Sequence, residues 1–356
     1  MQTKKWSFNF YYLLLSIVLF FLLILSARVG AVNITYTKMS SFIRDAMGYE
    51  TASPVNKIEE ALFFKIRLPR VILCALVSAA LSVSGALMQA LFRNPIVEPG
   101  LVGASSGAAF GAAFVFVMGK MIAGSYADVL GPFMLPLFAF AGGLIATLAV
   151  YKLSGIFRKI NVATMILAGI AINALANGGI GFFSYVARDP QARSITFWNL
   201  GTLAGADWTA VLMVSISTIT GILLCLRYSK SLNVLLLGEE EAGYLGVNAN
   251  KPKTRILILN TFMAAIATAI VGVIGFVGLI VPHLLRIMRS SDNRFLIIGS
   301  ALLGAILLNL ADMFSRVIVA PSEFPIGIVT AFVDAPVFLY MLVRNSRQQL
   351  KGGFYA

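Results

Sequence analysis

Long apolar runs, separated by short stretches rich in charge, glycine or proline, dominate the chain. A run of about 20 residues, wound as an α-helix, matches a hydrocarbon core ~30 Å thick. Ten such runs stand out, at 8–26, 71–92, 101–118, 134–153, 162–186, 208–226, 256–271, 273–287, 295–310 and 326–343. The first follows Lys4 and Lys5 and is longer than the apolar core of a signal peptide, so it reads as a retained spanning helix. Residues 256–288 are nearly unbroken, yet one helix there would run roughly 50 Å and overshoot the bilayer. Gly272, Gly275 and Gly278 offer places to break, which leaves two short spans or one span plus a re-entrant piece. The expected fold class is an all-α integral membrane protein, one transmembrane domain over 1–356, whose longest hydrophilic pieces are 27–70 and 227–255.

Composition agrees. Of 356 residues, 59% are hydrophobic and 12% charged, more apolar surface than a soluble core of this size can bury. The net charge of +13 matters through its placement. With both termini cytoplasmic, seventeen of the 28 Lys and Arg fall on the inner side. Seven of the other eleven lie in the long first loop or at its helix junctions, where charge bias is weak evidence. Cys74 and Cys225 sit inside apolar runs and offer no disulfide framework. With His283 the single histidine, a zinc or haem-iron site of several His or Cys ligands is excluded. No GxxxxGK[ST] occurs, so the chain has no P-loop with which to hydrolyse ATP. No cofactor or metal, and no nucleic-acid partner, is expected.

Several segments carry more than hydropathy. Gly103, Gly107 and Gly111 recur every four residues, with Ser105 and Ser106 between them; one helix face of small residues suits either close packing or a pathway helix that slides. In Arg93-Asn-Pro-Ile-Val-Glu-Pro-Gly100, the prolines forbid a continuous helix and leave a turn in which Arg93 and Glu98 can pair. Leu237 to Val247 holds three consecutive acids on the side expected to be basic. Glu239 to Tyr244 can form a short helix with Gly246 as its cap, a docking element or a solvated charge run. Arg67, Arg70 and Arg316 stand at the opposite membrane surface, as snorkelling side chains or as a positive docking patch. An ion-driven carrier would need intramembrane acid relays, but only Asp334 lies well inside a span and Asp312 near an end.

Four stretches, Gly85–Gly111, Leu237–Val247, Gly275–Arg286 and Phe324–Leu342, resemble the FecCD/BtuC-type permease subunits of type II ABC importers, which carry haem, ferric siderophores or vitamin B12. The resemblance runs from about Lys65 to Arg344. It implies a ten-helix bundle working as a homodimer in the cytoplasmic (inner) membrane of a bacterium, with a second copy of the chain as partner. It also implies two ATP-binding subunits that use ATP and Mg outside this chain, and a periplasmic or lipid-anchored solute-binding protein. The ATPase-coupling residues it implies are Gly238, Glu239, Glu240, Glu241, Ala242, Tyr244, Leu245 and Gly246 within the loop 227–255. Binding-protein docking maps to Arg67, Arg70 and Arg316, and a cytoplasmic gate to Asn161, Val162, Ala163 and Thr164. Haem or another iron chelate is the favoured cargo, with cobalamin the alternative.

Overall fold

A computed structural model describes residues 8–30, 32–49, 56–124, 127–154, 162–246, 250–320 and 322–350. Among them eight helices are long and apolar enough to cross a membrane, and two shorter apolar ones complete the ten expected runs in order. The first span is α1 (Phe8–Arg28); two short helices, α2 (Tyr36–Ala46) and α3 (Lys57–Leu62), follow it. A π-turn over Phe63–Arg67 then leads into α4 (Leu68–Phe92). Pro69 has no N–H to offer the carbonyl of Lys65, so the ladder slips by one and Leu68 N donates to Phe63 O instead. The stretch from Lys57 to Phe92 is 36 residues, about 54 Å of helix, and its first turns therefore reach beyond the bilayer. Helix α4 is the hub: 83% of its apolar window is buried.

The chain continues through α5 (Ala104–Ala123), α6 (Ala127–Ser154) and α7 (Val162–Val186). A polar helix that the apolar pattern did not mark, α8 (Asp189–Asn199), precedes the span α9 (Trp208–Arg227). The pair α10 (Ser229–Leu235) and α11 (Glu239–Tyr244) leads to α12 (Asn250–Val271), α13 (Val277–Met288), α14 (Asn293–Ile318) and α15 (Ile326–Leu350). Helix α11 has the bounds its sequence suggests, and Gly246 closes it at φ +77°.

The long run 256–288 resolves into one full helix and one short one. Gly272 breaks it at φ +79°, a conformation and a space only glycine fits, because a Cβ would lie 2.2 Å from Trp198 O. Residues 272–276 are without helix, and Thr202 N donates to Val271 O at 2.8 Å, satisfying a carbonyl that α12 leaves free. Twelve helical residues give α13 only ~18 Å, so the non-helical residues before it must supply the rest of the crossing.

Small residues set the helix spacing. Helix α5 lies against α6 so closely that a Cβ on Gly107 would come 2.4 Å from Gly142 O, and one on Gly111 2.1 Å from Phe138 O. The glycine face of α5 is thus a packing seam. Helix α7 is the opposite case, with 11% of its apolar window buried and Leu167, Leu175 and Phe182 turned outward.

Candidate functional site

The turn after α4 does not stay at the membrane surface. Arg93 ends the helix at φ 49°, and the chain folds back so that a 3-10 turn, Pro99–Val102, sits beside the middle of α7. Two contacts fix that depth: Asn173, halfway along α7, donates Nδ2 to Gly100 O at 3.1 Å, and a Cβ on Gly169 would come 2.0 Å from Leu101 O. Glu98 is carried in with it and accepts a hydrogen bond from Phe276 N at the amino end of α13. Arg93 stays exposed, and no ion pair joins it to Glu98 among the described residues. The local pairing expected from their spacing fails because the prolines aim the two side chains at different levels.

Where these segments meet there is a cavity of about 320 Å³. Glu98, Ser105, Ser106, Asn173, Asn177 and Asn199 give it polar walls, and Val273 to Phe276 close one side. Ser106 and Asn173 hydrogen-bond to each other. Phe276 holds φ 65°, a strained value for a bulky residue that costs of order 1–3 kcal/mol. The residues expected to share one helix face therefore divide. Gly103, Gly107 and Gly111 pack on neighbouring helices, while Ser105 and Ser106 line the cavity. Amides, hydroxyls and one carboxylate can hold a polar solute loosely by hydrogen bonds. No nucleophile–base pair lines the cavity, and among the described residues no group of three or more His, Cys, Asp or Glu could hold a metal ion.

Below the cavity, Gln89 ties α4 to α13. Its Nε2 donates to Gly278 O and Leu279 O at 3.3 and 3.1 Å, and its Oε1 accepts from Arg286. Glu98 and Gln89 thus brace the short helix at two heights. Glu98→Ala is expected to lower unfolding stability by about 1.5–3 kcal/mol, the usual worth of a hydrogen bond to a charged group, whereas Glu98→Gln keeps an acceptor and most of that stability. Thermal unfolding of the detergent-purified protein checks it; equal losses in both variants would show that charge, not the bond, matters.

The arginines at the far surface face inward. Arg67, Arg70 and Arg316 are only 6%, 6% and 8% exposed, so none is free in the way a partner-facing patch requires. Arg67 donates to the carbonyls of Ala27 and Arg28 at 3.3 and 2.6 Å and to that of Val32. Arg70 donates to Asp312 Oδ1 from Nε (3.1 Å) and Nη2 (2.9 Å), and to the half-exposed Glu323. Arg316 lies 3.0 Å from Asp312 Oδ2 and donates to Ser26 and to Val29 O. The cause is the length of α14. It continues past Leu310, and Arg316, one turn beyond Asp312, turns against α1 instead of standing in a loop.

At the other surface, α10 is anchored through Leu232 and Leu235, and α11 through Ala242. Tyr244, Leu245 and Leu237 project at 90%, 62% and 65% exposure, with Glu240 and Glu241 also exposed beside them. Asn233 joins α10 to the loop before α14. Its Oδ1 accepts from Asn293 N and Nδ2 at 2.8 Å, and its Nδ2 donates to Asp292 Oδ1 at 3.1 Å. Nothing in the sequence singles out Asn233. Of the gate residues, Asn161 lies outside the described residues, Val162 opens α7, Ala163 is exposed and Thr164 is half-buried.

The model of the FecCD transport family matches residues 18–344. The chain is 39% identical to the hemin transport system permease protein HmuU of Yersinia pestis over 344 residues, 95% of this chain and 97% of that protein. It is 37% identical to the vitamin B12 import system permease protein BtuC of Salmonella paratyphi A over 289 residues, 81% of this chain and 85% of the relative. The fold is similar, at a TM-score of 0.78 and 26% identity, to a solved inward-facing ABC transporter assigned to the metal-chelate type, covering 94% of this chain and 98% of the other.

Proposed function

The chain belongs to the FecCD transport family, and from that premise we propose that it forms the pathway through which an ATP-driven importer takes up haem or another iron chelate, such as a ferric siderophore, delivered by a solute-binding protein. It is a multi-pass ABC permease subunit and not itself an enzyme. In this reading two separate ATP-binding subunits use ATP and Mg on the cytoplasmic side of a bacterial inner membrane, where both termini lie. A second copy of the chain covers α7, whose apolar side chains are otherwise unsheltered. Haem is favoured by the hemin permease, which is similar over nearly the whole chain. Cobalamin is the second reading, favoured by a B12 permease of nearly equal identity over a shorter span.

The observation that carries the energy coupling is the α10–α11 pair. A six-residue helix is marginal in water on its own. This one presents Tyr244, Leu245 and two acids outward, and α10 before it is tied through Asn233 to the start of α14. Pressure on Gly238 to Gly246 from a closing ATPase would thereby reach α14 and, packed against it, α13, whose amino end lines the cavity. Ala163 and Thr164, with Asn161 and Val162 before them, would close the inner end. The solute-binding protein would dock on the opposite rim, which Arg67, Arg70 and Arg316 hold in shape from beneath.

The test is reconstitution with the ATPase subunits in vesicles. Tyr244→Ala with Leu245→Ala, or lysines at Glu239, Glu240 and Glu241, should weaken ATPase attachment roughly 30-fold, about 2 kcal/mol, and stop uptake while insertion persists. Undiminished uptake would refute the coupling role. Binding protein loaded with haem, ferric siderophore or cobalamin is then compared for stimulation of ATP hydrolysis. A response to cobalamin alone would replace the haem reading.

A further inference from the structure

Helix α2 distributes its side chains in an unusual way. At ~100° per residue its apolar positions form one continuous arc, from Phe42 through Met39 to Ile43, Tyr36 and Met47. Only part of that arc meets protein. Met39 and Phe42 are buried against Ala27 of α1, Phe63 and Val71. Tyr36, Ile43 and Met47, within roughly 40° of one another, remain 49%, 46% and 67% exposed. The opposite side is polar and already engaged with α3: Lys38 pairs with Glu59 at 2.7 Å, and Asp45 with Lys57 at 2.6 Å.

The level of this stripe is fixed by α1. Arg28, the last residue of α1, stacks over the Tyr36 ring at 4.7 Å. Arg67 donates to the carbonyls of Ala27 and Arg28 and so clamps the same corner. The amino end of α2 therefore sits where a spanning helix leaves the hydrocarbon. Helix α1 has only 22% of its apolar window buried and turns Phe20, Phe21 and Leu25 outward up to that level. Through Arg28, the free stripe of α2 adjoins the end of this outward-facing helix at Tyr36. Trp208, 47% exposed, donates its indole N–H to Phe64 O and marks the same boundary with a second amphipathic ring.

We propose that α2 lies in the membrane interface, with Tyr36, Ile43 and Met47 inserted between lipid headgroups and upper acyl chains. An amphipathic helix of low overall hydrophobicity, apolar on one side and charged on the other, takes this position by burying its apolar face ~5–10 Å deep. In that role α2 fixes the height of the first loop and shelters the corner clamped by Arg67. The inference rests only on the chain spanning a bilayer, not on its cargo.

The test is spin-label accessibility in the full chain reconstituted in phosphatidylcholine–phosphatidylglycerol vesicles. Ile43→Cys and Met47→Cys carry the label, with Thr37→Cys on the polar side as control. The native Cys74 and Cys225 are both 0% exposed and stay unlabelled. Labels at 43 and 47 are expected to collide preferentially with oxygen and the label at 37 with a water-soluble nickel chelate, so the preference reverses across the helix. Equal nickel access at all three sites would overturn the proposal, as would shielding from both reagents, the mark of protein burial. Oxygen preference that appears only when a solute-binding protein is added would also overturn it and make the stripe a protein contact.

Discussion

Replacing Asp312 with alanine is expected to cost about 3–5 kcal/mol, enough to leave little folded protein in the membrane. The carboxylate is 0% exposed and stands between two buried guanidiniums, Arg70 on one oxygen and Arg316 on the other. Without it, Arg70 keeps, among the described residues, only the half-exposed Glu323, and Arg316 keeps neutral acceptors at the end of α1. Two cations then face each other in a low-dielectric corner with no anion between them. Removing one member of a buried set costs more than the set is worth, because the charges left behind stay desolvated. Asp312→Asn should fall between wild type and alanine, since it retains an acceptor and loses the charge. Glu323→Gln, at a solvated site, should cost under about 1 kcal/mol. Thermal unfolding in detergent ranks the three, and an alanine variant as stable as the Glu323 variant would show that the arginines need no counter-charge.

That cluster also shows where reading the sequence stops. The ten apolar runs are legible because a bilayer demands ~30 Å of unbroken hydrocarbon surface, and hydropathy reports that demand directly. The seam of Gly103, Gly107 and Gly111 is legible for a similar reason: spacing of four fixes a helix face whatever that face touches. The apolar run within α14 stops at Leu310, because Asp312, Ser315 and Arg316 follow. They do not end the helix, since each finds its partners inside the bundle. The turn from Arg93 to Gly100 departs from its sequence pattern in the opposite direction. Its prolines correctly broke the helix, but the return of Glu98 to the middle of the bundle depends on Phe276 and Asn173, far along the chain. A sequence shows that a residue is polar and leaves open which distant group satisfies it. The polar cavity, built from long-range pairs, was the part least visible.

The largest effect inside the bundle is expected at Gly85. A Cβ there would lie 1.8 Å from Gly278 O and 2.5 Å from Gly278 Cα, and neither atom belongs to a side chain that can turn aside. Even Gly85→Ala must push α13 away from α4, because real Cβ contacts do not fall below about 3 Å. Gln89, one turn along α4, would then lose its bonds to Gly278 O and Leu279 O, and Arg286 would lose the acceptor on Gln89. Phe276 moves with α13 and takes with it the N–H that holds Glu98. Overpacking alone costs about 1–3 kcal/mol, and unmade buried hydrogen bonds add a similar amount each. Gly85→Ala should therefore reduce both the fraction folded and any ATP-driven uptake, and Gly85→Leu should abolish them. Gly205→Ala, where a Cβ meets nothing within 4 Å, serves as the neutral control. If Gly85→Ala matches that control in thermal unfolding and in vesicle uptake, α13 is not held against α4 by backbone contact. The short helix would then be free to shift without passing strain to Glu98, and the cavity would have no rigid wall on that side.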